Sequence, residues 1–247
     1  MLLFLSIMDS PLMVKIILFF LITLSVFTIG LFLERLAILS FKEKSSQSFD
    51  KEFNSGEMLD AIYNRLYNKP KIHAPLARIF FVGMKELTQS NIRNIDFAMP
   101  YAEDVKRNIR SRMLAMTSIE KSHITLEMKT GIAFLVTIAT VAPMIGLLGT
   151  MYGMMYDLYE FRNYAQIDTI HIVNALYSSV VSTIIGIFSG VAAIVGYNIL
   201  VAKINQYTME HELFAVKVAN ILSRELDLIT ANTHARKALE QKDRDDD

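Results

Sequence analysis

Hydroxyl side chains recur at helical spacing inside two long runs that contain no Asp, Glu, Lys or Arg. Thr137, Thr140 and Thr150 fall in residues 130–156, and Ser178, Ser179, Ser182 and Thr183 in residues 169–202. In an apolar helix such a hydroxyl either back-bonds to the carbonyl four residues earlier or offers a donor to a neighbouring helix. Small residues accompany them. Pro143, Gly146, Gly149 and Gly153 punctuate the first run, and Gly149 with Gly153 makes the small-xxx-small pair that lets helices approach closely in lipid. In the second run Ser178, Ser182, Gly186 and Gly190 recur every fourth residue on one helical face, with Ser179 and Thr183 on the adjacent stripe. Packing alone explains any single hydroxyl as well as a polar role does. Together they describe a tightly packed helix pair with one polar, water-accessible face.

What is missing narrows the chemistry. Intramembrane acids and bases mark proton relays and ion paths, but neither run has an Asp, Glu, Lys or Arg, and the one histidine is His171, at the outer edge of the second. A chain of this kind moves protons only if a partner supplies the carboxylate. Cysteine is absent, so disulfides, thiolate metal sites and cysteine nucleophiles are excluded. His73, His123, His171, His211 and His234 are too scattered for a metal site. No Gly-x-Ser-x-Gly elbow, phosphate-binding loop or His-Glu-x-x-His occurs, and neither an enzyme nor a bound cofactor or metal is expected. Lys+Arg and Asp+Glu balance at 25 each, which gives no argument for nucleic acid.

The elements that must position the hydroxyls follow from charge and hydropathy. Of 247 residues 52% are hydrophobic and 20% charged, and the charge is strongly clustered. Residues 16–33 read IILFFLITLSVFTIGLFL without a charge, and residues 130–156 and 169–202 are longer still. A helix needs roughly 20 apolar residues to cross a ~30 Å hydrocarbon core. The reading is an all-α membrane protein with three transmembrane helices, at 14–34, 130–156 and 170–202. The first run is too long for a signal-peptide core, and Glu34-Arg35 follows it rather than a small-residue cleavage site.

Positive charge sets the expected orientation. Only Lys15 lies ahead of the first apolar run and only Arg162 between the second and third. Residues 34–129 carry 16 Lys+Arg and the tail from Lys203 carries seven. By the positive-inside rule the N-terminal segment 1–13 and the loop 157–169 face outward, while the loop 35–129 and the tail 203–247 are cytoplasmic. These cytoplasmic segments read as helices. One is expected over about 49–67, with Phe53, Met58, Ile62 and Leu66 near helical spacing, ended by Lys69-Pro70. Another opens at His73-Ala74-Pro75. A third, from Tyr101, is expected to run unbroken through Lys129 into the second span, and the third span to continue as a long tail helix. Its end, Lys242-Asp-Arg-Asp-Asp-Asp, is expected to be disordered. Glu103, Asp104, Lys106, Arg107, Arg110 and Arg112 read as a solvated face, or as ion pairs between subunits around a vestibule.

The stretch Ala142-Pro143-Met144-Ile145-Gly146-Leu147-Leu148-Gly149-Thr150-Met151-Tyr152-Gly153 resembles the second-span signature of the TolQ/ExbB/MotA proton-channel family. Ser182-Thr183-Ile184-Ile185-Gly186-Ile187-Phe188 with Tyr197-Asn198 resembles its third span, and the three-span layout is similar over nearly the whole chain. Phe53-Asn54-Ser55-Gly56 and the overall length look more like TolQ than ExbB, and MotA-type chains usually have four spans. The resemblance implies a homo-oligomer in the bacterial inner membrane, a pentamer whose second and third spans line a pore. It implies a TolR-like or ExbD-like single-span dimer inside that pore, whose aspartate carries protons, and a TolA-like or TonB-like protein that transmits the work. By the matched motifs Thr150 and Thr183 are pore-facing hydroxyls near that aspartate, with Ser179 and Ser182 beside them. Two alternatives stand beside this: an ExbB-like subunit energising TonB-dependent import, and a membrane scaffold that oligomerises through its small-residue faces and transports nothing.

Overall fold

A computed structural model describes residues 12–68, 74–89, 102–162 and 169–245. Among the described residues six helices follow in order: α1 Leu12–Phe53, α2 Leu59–Tyr67, α3 Pro75–Gln89, α4 Ala102–Lys129, α5 Ala133–Phe161 and α6 Thr169–Asp245. The described residues contain no strand. The expected N-terminal segment up to residue 11, the Lys69-Pro70 break, His73 and most of the loop after α5 lie outside the described residues.

The chain divides into two compact units, Met1–Ile38 with Lys129–Lys203, and Leu39–Met128 with Ile204–Asp247. In the first, the start of α1, all of α5 and the start of α6 pack together. Each contains a stretch long and apolar enough to cross a membrane. Their shared core holds Leu21, Ile138, Ala142 and Ala193, flanked by Ile17, Leu24, Ile145 and Ile185. A smaller cluster joins Val14, Leu18 and Val181 with Tyr152. Only 17% of the apolar window of α1, and no more than 33% of any of the three, is buried within the chain. Phe19, Phe27, Phe134, Met144, Leu148 and Phe188 are all exposed. Helices apolar all round belong in lipid or against other chains, which must cover this surface.

The second unit packs the end of α1, α2, α3, α4 and the later part of α6. Phe49, Phe53, Phe80 and Phe214 form its aromatic centre, with ring centroids 5.2–6.3 Å apart, tilted or edge-on as ring quadrupoles prefer. Arg78 bridges α3 to α4, its Nε 2.7 Å from Glu120 and its Nη1 2.9 Å from Glu127. Lys42 lies 3.5 Å from the same Glu127. Desolvation raises the Glu127 carboxyl, but hydrogen bonds and charge from Arg78, with help from Lys42 and His123, hold it below the ordinary carboxylate range. Of the charges of α4 singled out from sequence, Asp104, Lys106, Arg107 and Arg112 make contacts within this unit, and the side chain of Glu103 lies outside the described residues. Arg112 pairs with Glu86 at 2.6 Å, Lys106 with Asp227 at 2.9 Å, and Arg107 faces Asp104 on its own helix.

His211, one of the histidines too scattered for a metal site, lies buried in this unit. It is 3% exposed and its Nδ1 has no hydrogen-bond partner among the described residues. Burial, reinforced by the charge of Lys42, pushes it down to about 4. An unfolded histidine titrates near 6.5, so the unfolded chain binds the extra proton between these values. His211 therefore favours the fold above about pH 6.5, and this contribution, on the order of 3 kcal/mol, is lost as pH falls towards 4. Thermal unfolding of detergent-solubilised protein from pH 7.5 to 4.5 checks this. His211→Leu should flatten the acid limb, and an unchanged slope would show that His211 is not the titrating group.

Three sequence expectations are corrected here. The helix expected over about 49–67 is divided: α1 runs unbroken from the first span to Phe53, and a turn through Gly56 at φ +82° separates it from α2. Glycine reaches that left-handed conformation without strain, which makes it a common helix stop. Arg65 bonds Glu52 and Glu57 across the turn, and Met58, expected on the apolar face, is exposed at the start of α2. The helix entering the second span is also interrupted, between Lys129 and Ala133, with Gly131 at φ +83°. A methyl at Gly131 would lie 2.5 Å from the Arg35 guanidinium, so the turn also leaves room for that side chain. Finally, α6 continues to Asp245 where disorder was expected from Lys242. With no Pro after Pro143 and no Gly after Gly196, nothing in the tail stops a helix that gains one hydrogen bond per added residue.

Candidate functional site

The stripes of α5 and α6 meet face to face, and the glycines of one helix lie opposite the hydroxyls and glycines of the other. A methyl on Gly149 would lie 2.7 Å from Ser182 Oγ, and one on Gly153 2.4 Å from Ser179 Oγ. At Gly146 it would meet the Ser182 carbonyl at 2.8 Å, and at Gly186 the Ala142 carbonyl at 2.6 Å. The helices thus touch backbone to backbone, as helices associated in lipid do when packing rather than the hydrophobic effect holds them.

Pro143 has a seat in the same contact. A methyl on Gly190 would lie 2.8 Å from its ring Cγ and 2.9 Å from the Ala139 carbonyl. That carbonyl is the one left without its helical N–H by the proline four residues later. Gly190 brings its backbone against the freed oxygen, where a larger residue would stand in the way.

Inside the contact three of the four singled-out hydroxyls, those of Thr150, Ser182 and Thr183, gather around two carbonyls, one of them that of Ser179. Thr150 Oγ1 donates to the Ser179 carbonyl at 3.0 Å and contacts the hydroxyl of Thr183. Ser182 Oγ lies 2.9 Å from the Ser179 carbonyl and 3.1 Å from that of Gly146. Thr183 Oγ1 lies 3.2 Å from the Gly146 carbonyl, and Thr150 Oγ1 3.3 Å from it. Three hydroxyl protons therefore share two carbonyls and each other's oxygens, and several hydrogen-bond arrangements satisfy the same atoms. Thr150, Ser179 and Ser182 are buried, whereas Thr183 is half-exposed. Of the four, Thr183 alone turns part of its surface away from the helix pair. Thr137 and Thr140 are exposed and back-bond to their own helix. The side chains of His171 and Ser178 lie outside the described residues.

One member of the cluster was missed from sequence. Asp157, on the last turns of α5, accepts a hydrogen bond from Ser179 Oγ at 3.4 Å. The sequence reading assigned it to the loop because it directly follows the charge-free run. The available signal was its spacing, seven residues beyond Thr150 and so on the same helical face.

Three helices long and apolar enough to cross a membrane, two of them joined through glycines around a knot of hydroxyls, define an integral membrane subunit. Residues 71–213 match the model of the MotA/TolQ/ExbB proton channel family, and the chain belongs to that family. Over 218 residues it is 28% identical to the Tol-Pal system protein TolQ of Haemophilus influenzae, covering 88% of this chain and 92% of that one. A Tol-Pal system protein TolQ from Pseudomonas aeruginosa is 23% identical over 88% of this chain and 91% of its own length. The biopolymer transport protein ExbB of Salmonella typhimurium is 32% identical over 101 residues, 40% of each chain. With its three apolar helices, the chain is a multi-pass inner-membrane protein.

Proposed function

We propose that this chain is the inner-membrane subunit of a proton-motive-force-driven motor of the TolQ type. Five copies enclose a dimer of a TolR-like single-span partner. The partner's aspartate carries protons past the hydroxyls of α5 and α6, and the work passes through a TolA-like protein to maintain outer-membrane integrity and serve cell division. The N-terminus lies in the periplasm and the C-terminus in the cytoplasm. The observation that carries the reading is the hydroxyl cluster on two spans that have no acid of their own between residues 130 and 156 or 169 and 202. Desolvation drives a membrane-buried carboxylate toward its neutral form, and a hydroxyl that donates to the charged form offsets part of that cost. Hydroxyl donors here and a carboxylate on the partner are complementary halves of one site. The TolQ assignment over the ExbB one rests on likeness along the full length, against a match to ExbB confined to 40% of the chain.

Native mass spectrometry of the chain co-expressed with a neighbouring single-span protein tests the assembly, with an expected five copies to two partner chains. The same complex in liposomes loaded with a pH-sensitive dye should pass protons down an imposed gradient. A homo-oligomer that excludes every partner and passes none would favour a scaffold and return the hydroxyls to packing. Rescue of detergent sensitivity, rather than of growth on chelated iron, in strains lacking the corresponding genes separates a Tol-Pal role from an ExbB-like one.

A further inference from the structure

We propose that Asp157 is a proton-exchanging carboxylate of this chain, set at the outer end of the hydroxyl cluster to load protons into the path from the periplasmic side. This rests on the motor reading, which otherwise leaves the chain with no acid of its own in the path. Two observations place Asp157 there. Its Oδ2 accepts from Ser179 Oγ on the facing helix, and the Ser179 carbonyl accepts from both Thr150 and Ser182. The acid is thus one residue removed from the hydroxyls next to Thr183. It is also only half-buried, while Ser179 beside it is 1% exposed, so the carboxylate touches both solvent and the closed cluster. The glycine at position 153 makes this possible, since a methyl there would occupy the space of the Ser179 hydroxyl.

The charged and titratable groups around it are few in kind. Glu160 lies one turn on along α5 and accepts a hydrogen bond from Tyr156 at 3.2 Å. Ser179 faces Asp157 from α6. On α1, Val14 packs beside Gly153, and Lys15 is the adjacent residue. In the loading step the Asp157 carboxylate takes a proton from outside water, forming one O–H bond as the donor loses one. The neutral acid then passes that proton to the ionised carboxylate of the single-span partner, and Asp157 returns to its anion. Ser179 donates to the anion and keeps it ready to reload; it is a positioning residue.

Proton flux into dye-loaded liposomes holding the complex of this chain with its single-span partner tests the inference, measured at outer pH from 5 to 8. Asp157→Asn is expected to slow flux at least about tenfold and to remove its dependence on outer pH, while Asp157→Glu retains both. Ser179→Ala, which leaves the helix contact open, should move the pH profile upward by about one pH unit because the anion loses a donor. A conducting wild-type complex with an equally conducting Asp157→Asn variant would overturn the Asp157 assignment alone. A wild-type complex that does not conduct would remove the motor reading and this inference with it. If Asp157→Asn fails to assemble, the Ser179→Ala profile decides, and one that coincides with wild type sinks the proposal.

Discussion

Thr183→Val is expected to cut proton flux through the assembled complex at least about tenfold, with the α5–α6 pair still folded. Valine has nearly the shape of threonine, so the exchange removes a hydroxyl and little else. The Gly146 carbonyl loses one donor but keeps Ser182 Oγ at 3.1 Å and Thr150 Oγ1 at 3.3 Å. No buried acceptor is left unpaired, and the structural cost should stay near the ~1 kcal/mol of one ordinary hydrogen bond. The functional cost is larger, because Thr183 is the one hydroxyl of the four that is half-exposed and free to meet a carboxylate on another chain. Thr150→Val should weaken flux less, since Thr150 is buried and acts through the Ser179 carbonyl and the Thr183 hydroxyl. Thr183→Ser keeps a donor and should keep most of the flux. Dye-based flux and thermal unfolding on the same preparations separate the two costs. Wild-type flux in Thr183→Val would end the assignment of Thr183 to the proton path.

Physical locality decides how much of this was legible in the sequence. Membrane spans are a property of composition over about 20 residues, so three charge-poor runs were enough to place α5 and the membrane parts of α1 and α6. The hydroxyl and small-residue stripes were legible too, because helical periodicity puts every fourth residue on one face. What periodicity does not contain is the register between two helices. That Gly149 and Gly153 hold open the space for Ser182 and Ser179 depends on how α5 slides along α6, and no pattern within either run encodes it. Packing residues and polar residues, read as separate sets, turn out to be the two sides of one contact.

The helix breaks were illegible for a related reason. Gly56 and Gly131 both sit at positive φ, yet Gly30, Gly83 and the glycines of α5 and α6 lie within helices. The letter is the same in each case, and only the surroundings decide whether the backbone turns. At Gly131 the Arg35 guanidinium comes from 96 positions earlier in the chain. Asp157 was hidden by the opposite effect. A charge at the end of an apolar run marks the membrane boundary by composition, and that reading gave no reason to ask which helix face the acid occupies.

Gly186→Ala should be the most damaging single methyl in the membrane unit. Its Cβ would lie 2.6 Å from the Ala142 carbonyl and 3.0 and 3.2 Å from Gly146 Cα and N, all backbone atoms that no rotamer change can move. Relief requires the helices to separate, and that would also draw Thr183 and Ser182 away from the Gly146 carbonyl they approach at 3.2 and 3.1 Å. A cost of at least about 2 kcal/mol follows from overpacking alone, before the hydrogen bonds are counted. Gly30→Ala supplies the contrast, since a methyl there meets nothing within 4 Å in this chain and alanine is the better helix former. Thermal unfolding and protease resistance of the solubilised protein should therefore fall for Gly186→Ala and hold or rise for Gly30→Ala. Equal behaviour of the two would mean that α5 and α6 do not meet along their glycines. If Gly30→Ala instead destabilises only the oligomer, another copy of the chain covers that face of α1, which the apolar surface left bare on this helix already requires of lipid or protein.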